Sequence, residues 1–168
     1  MPTPLLQKIP AQPITPELFR PFGQVIFAAE DGKTYDAEDA QLDLQQGVPR
    51  FYIMRLQHQG RRFDKITRHQ RCTQCLGSLA GNSWLIGVAA PGEAVAPDWQ
   101  QIRGFQIPGT CFIKLHVGTW HAGPYFDADQ VDFYNLELSD TNVVDHDTCN
   151  LRQHYGIELE FELHGDNP

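Results

Sequence analysis

The chain has 168 residues, 41% of them hydrophobic and 20% charged, which is enough for one domain with a core and a cavity and too little for two full ones. A net charge of −8 and a pI near 5.2, without any dense basic stripe, argue against nucleic acid as a partner. The apolar runs are too short to span a bilayer and no basic-then-apolar leader opens the sequence, so a cytoplasmic protein that engages no membrane is expected.

In chain order, residues 1–13 carry four prolines and no periodicity, and read as an extended arm on a single domain covering 1–168. Thr15, Pro16 and Glu17 supply an N-cap, a first-turn proline and a first-turn acid, and Gly23 a stop. The pattern predicts a short helix over residues 16–22, packed on a strand over 24–27. Residues 28–47 are polar and acidic and read as a loop or weak helix, with the composition of a lid over 30–43. Strand formers fill residues 50–56, where Arg50, Tyr52 and Met54 share one face and Phe51, Ile53 and Arg55 the other.

Residues 63–78 hold two strands with a break near Arg71. Residues 83–88 form a buried strand that places Trp84 in the core, and 102–107 are again extended. The cysteines, Cys72, Cys75, Cys111 and Cys149, read as free thiols. Cys72 and Cys75 make a C-x-x-C, but no second pair completes a zinc ribbon.

The run over residues 107–126, IPGTCFIKLHVGTWHAGPYF, contains a short strand ending at His116, a break at Gly118, and then Trp120 and His121. Two imidazoles flanking a glycine turn suit metal binding or proton transfer. Residues 131–138 form another strand, and GIELEFEL closes the chain as an alternating one. Eight to ten short strands with a single helix define an all-β sandwich or barrel, whose ligand site lies in the barrel mouth. His69 and Gln74 are the natural partners for the histidine run. Five residues apart, they converge only across a turn or bulge.

His69 and Gln74, followed by His116-x-Gly118-x-x-His121, resemble the two histidine motifs of the cupins. The wider ordered set resembles the ureidoglycolate lyase family: residues 15–27, Arg50-Phe51-Tyr52, Arg68-His69 through Gln74, His116 through His121 with Trp120, and the Asp132-Phe133 strand. That resemblance implies a conical cupin-type barrel, or jelly roll, of two antiparallel sheets, a homodimer, and cleavage of (S)-ureidoglycolate to glyoxylate and urea in allantoin breakdown. Two other readings stand beside it: a cupin that holds a small acid without turning it over, and a different metal-dependent cupin enzyme.

The sequence departs from the cupin pattern at Thr67, which replaces the first histidine, and at Gln74, which replaces the glutamate. His69, Gln74 and His121 would then be a soft, weakly held site for nickel, manganese or iron, with His116 supporting it from behind. The implied reaction needs a base, an acid and a cationic clamp for a small carboxylate. His121 is the first choice for proton transfer, His69 the second and Glu137 a third. Arg50 and Arg68 are candidate carboxylate clamps, Lys114 shares strand parity with His116, and Trp120 and Tyr125 are expected to wall the cavity.

Overall fold

Thirteen strands, three short α-helices and one 3-10 turn (Trp99–Gln101) run through residues 3–165, the part of the chain that the computed structural model describes. In order they are β1 (Leu5–Pro13), α1 (Pro16–Phe19), β2 (Gly23–Phe27), β3 (Pro49–Gln57), β4 (Arg62–Phe63), β5 (Lys65–Arg68), β6 (Gln74–Ser78) and β7 (Trp84–Ala89). Then follow β8 (Arg103–Ile107), β9 (Cys111–Leu115), β10 (Trp120–Tyr125), β11 (Gln130–Leu138), α2 (Thr141–Val144), β12 (Asp147–Asn150), α3 (Leu151–Tyr155) and β13 (Ile157–Glu162).

The strands form two sheets, one in the order β12-β5-β10-β7-β8-β1-β13-β4 and the other β2-β9-β6-β11-β3. The fold is all-β, as expected, with the two sheets curled against each other. Side-chain alternation sets which residues face inward. On β7, Trp84, Ile86 and Val88 point into a first core shared with Ile113, Leu115, Phe133 and Leu76 of the smaller sheet. Leu85 and Ala89, on the opposite face, join a second core with Phe63, Ile66, Leu159 and Phe161. The larger sheet encloses that second core by rolling up, because β4 and β5 lie near its two ends and only Asp64 separates them. Gly87 permits the roll: a Cβ there would lie 2.8 Å from the Phe63 ring.

Three expectations change. The segment expected to be a free arm is extended but paired, parallel to both β13 and β8, with Ile9 and Ala11 buried in the second core; residues 1 and 2 lie outside the described part. The first helix is shorter than 16–22, ending at Phe19 and continuing as a turn to Phe22. Its cap is as read, with Thr15 Oγ1 accepting from the Leu18 amide at 3.2 Å. The expected single helix is joined by α2 and α3, which flank β12 between β11 and the closing strand, and that strand is as read, β13 covering Ile157–Glu162.

Candidate active site

A cavity of about 210 Å³ lies between the sheets. Tyr52, Met54 and Leu56 of β3, Gln74 and Leu76 of β6, and Asn135 and Glu137 of β11 reach it by the same alternation that packs the first core. Across from them stand His69, in the turn after β5, and His121 and Tyr125 on β10, with Asn142 and His146 from the segment around α2.

The turn that must bring His69 and Gln74 together is present: β5 stops at Arg68, β6 starts at Gln74, and both side chains line the cavity. Asp145 holds that turn. Its carboxylate accepts from the amides of Gln70 (2.7 Å) and Arg71 (2.9 Å), and its carbonyl accepts from His69 Nδ1 at 2.6 Å. Because a carbonyl can only accept, Nδ1 carries the ring proton and Nε2 keeps its lone pair. His121 is fixed the same way, Nδ1 donating to the Thr119 carbonyl at 3.2 Å. The two rings sit 5.0 Å apart, and His146 stands 5.7 Å from His69.

Burial decides their charge. Desolvation pushes His121 down to about 3, and the neighbouring His69 adds to the effect. Burial also lowers His69, but there the Asp145 carbonyl and the charge of Glu137 work in the opposite direction. Both imidazoles are therefore neutral near pH 7, and His69 is the better supported of the two for carrying a proton.

Glu137 is buried within a polar group of its own. Gln74 Nε2 donates to Glu137 Oε2 (3.1 Å) and Asn135 Oδ1 (3.0 Å), Tyr52 Oη donates to Glu137 Oε1 (3.4 Å), and Asn135 Nδ2 donates to Tyr52 Oη (3.1 Å). The Arg50 guanidinium stacks on the Tyr52 ring at 3.6 Å, which sets it beside the cavity without lining it.

The other sequence candidates, Tyr125 apart, lie outside the cavity lining. Arg68 is buried but engaged, donating to Asp147 (2.8 Å) and to the carbonyls of Gly92 and Ala94 while packing over Trp120. It does not line the cavity. Trp120 belongs to the second core, whereas Tyr125 does wall the cavity, its hydroxyl pushed up to about 12 by burial. Lys114 is paired with His116 Nδ1 at 3.0 Å, and His116 Nε2 donates to the Arg20 carbonyl at 3.1 Å. The two imidazoles flanking Gly118 both border a small gap beside His69 and Gln74, but of the two only His121 also lines the cavity. The acidic 30–43 segment is not over the cavity either. Gln24 and Thr73 tie that loop down at Ala37, Asp39, Gln41 and Asp43. The four cysteines are free and buried.

The residues missed in sequence are Tyr52, Asn135, Asn142 and His146. Parity held the signal for two of them, since Asn135 shares a face with Glu137 and Tyr52 with Met54.

For a metal, the cavity wall offers the imidazoles of His69, His121 and His146 and the Gln74 amide oxygen. Glu137, the only carboxylate lining the cavity, is turned toward Tyr52 and Gln74, and among the described residues no three His, Cys, Asp or Glu side chains are grouped as a metal site. The set does not fit a firmly held divalent ion.

Fold and site together define a small-molecule β-barrel with acid–base groups in its cavity. The family described as ureidoglycolate lyase matches residues 6–158, and the chain belongs to that family. Among its relatives, the ureidoglycolate lyase of Pseudomonas savastanoi pv. phaseolicola is 28% identical over 97% of this chain and 98% of its own length. That of Schizosaccharomyces pombe is 25% identical over 69% and 76%. A dTDP-6-deoxy-D-glucose-3,5-epimerase from Legionella pneumophila superposes with a TM-score of 0.41 at 17% identity, over 68% of this chain and 62% of its own.

Proposed function

We propose that this chain cleaves (S)-ureidoglycolate to glyoxylate and urea. The observation that carries the proposal is the pair of neutral imidazoles 5.0 Å apart, each with Nδ1 tied to a carbonyl, in a cavity that also holds Glu137, in a member of the ureidoglycolate lyase family.

The reaction moves one proton from oxygen to nitrogen. An imidazole Nε2 takes the hydroxyl proton, the oxygen lone pair closes to the aldehyde, and the C–N bonding pair leaves with the ureido nitrogen. The imidazolium then returns the proton to that nitrogen, so a single ring serves as base and acid. His69 takes this role because Glu137 favours its charged state, while His121 stays neutral beside it. Arg50, stacked on the cavity-lining Tyr52, is the cation assigned to the substrate carboxylate.

Purified protein incubated with (S)-ureidoglycolate, with and without chelator, is expected to release glyoxylate above the spontaneous rate in both arms. No release in either arm overturns the proposal, and loss only with chelator overturns the metal-free route. The proposal extends to a cytoplasmic homodimer with a small carboxylate as its partner, and with neither nucleic acid nor membrane. The acidic charge supports this, as does the absence, among the described residues, of a helix long and apolar enough to cross a membrane. Light scattering tests the dimer.

A further inference from the structure

Gln74 is 7% exposed, and its Oε1 is buried without a hydrogen-bond partner among the described residues. The orientation of the amide is dictated by its neighbours. Glu137 presents carboxylate oxygens, which accept, so the Gln74 NH₂ must face them and Oε1 must face away. Asn135 reinforces this, because its own NH₂ is committed to Tyr52 and only its oxygen is left for Gln74. A buried acceptor without a donor is costly, and because Gln74 borders the cavity as well as the gap beside His116, a ligand that brings the donor would relieve that cost.

The rest of the wall points the same way. His69 and His121 both spend their ring N–H on backbone carbonyls, so the Nε2 atoms are acceptors too, and Glu137 is a third accepting group. Arg50, the cation, lies outside the lining, against Tyr52. The inner wall thus suits a ligand end rich in N–H, and the rim suits a carboxylate.

We infer that Gln74 Oε1 is the specificity element of the site, accepting from the terminal NH₂ of a ureido group that enters first, while the carboxylate stays outward beside Arg50. This rests on the proposed activity for the identity of the ligand, but it concerns binding and can be tested apart from turnover.

The probes are N-carbamoylglycine, which keeps the ureido group and carboxylate but has no hydroxyl to react, N-acetylglycine, in which a methyl replaces the terminal NH₂, and succinamate, which keeps that NH₂ but replaces the inner N–H by CH₂. Calorimetric titration of the unmodified protein is expected to show N-acetylglycine binding at least about tenfold more weakly than N-carbamoylglycine, with succinamate weakened less. In Gln74→Met, which keeps the length and removes the acceptor, the preference for N-carbamoylglycine over N-acetylglycine should vanish. Equal affinity for those two in the unmodified protein, or a preference that survives Gln74→Met, overturns the inference, and the first of these needs no variant to fold. Glyoxylate release without the binding preference leaves the lyase activity standing and removes the role of Gln74. The preference without release leaves Gln74 as a reader of N–H groups and removes the lyase activity.

Discussion

His121 is 9% exposed, and burial, reinforced by His69, holds its pKa near 3. In the unfolded chain an imidazole titrates near 6.5, so between pH 6.5 and 3 the unfolded state binds a proton that the folded state refuses. Stability should therefore fall as pH drops below 6.5, by up to about 1.4 kcal/mol per pH unit from this one ring. Urea unfolding at pH 7 and pH 5 should show a smaller loss for His121→Gln than for the unmodified protein. The same sign governs catalysis. His69 must be neutral to accept a proton, and burial lowers its pKa, so kcat/KM should hold below pH 6.5 and decline only at lower pH. Replacing His69 by Asn should lower kcat by about 100-fold or more at every pH. At this scale the sequence was legible where strand parity or a motif spoke, as for His69, Gln74, His121 and Glu137. It was opaque for Arg68, whose engagement depends on Asp147 and on the carbonyls of Gly92 and Ala94, groups that no local pattern connects to it.

The segment from α2 to β12 does more than extend the chain past β11. Through Asp145 it caps the turn between β5 and β6 and aims His69, and through Asn142 and His146 it lines the cavity. Asp145→Ala leaves two amides without their acceptor, which should lower stability by about 1–3 kcal/mol in thermal unfolding and reduce kcat more than it raises KM. Asp145→Asn keeps one acceptor oxygen and the backbone carbonyl, so most of the activity should survive. No local pattern in the sequence marks this role, because it lies in contacts with residues some seventy positions earlier. Helix α1 is the opposite case: Thr15, Pro16 and Glu17 act within one turn, and its start was readable for that reason.

Across the whole molecule, β7 is the wall between two cores, presenting Ile86 to one and Leu85 to the other. A strand shared in this way couples them, and we propose that the chain unfolds as one cooperative unit. Ile86→Ala and Leu85→Ala should each cost about 2–5 kcal/mol and shift a single denaturation transition, detected alike by tryptophan fluorescence and circular dichroism. Two separated transitions in either variant would contradict that unity. The all-β architecture was visible in the regular spacing of short apolar runs. The rolling of the larger sheet was not, since parallel pairing of β1 with β13 and β8 leaves no mark in either strand's own sequence.

That pairing also bears on how the protein is made. Strand β1 leaves the ribosome before either of its two neighbours, which are encoded at residues 103–107 and 157–162. Until they emerge, both of its edges stay open and Ile9 and Ala11 have no core to enter, so an adhesive strand waits while the intervening residues are made. Ribosome-bound fragments that stop before residue 103 should accordingly need a chaperone to hold that strand.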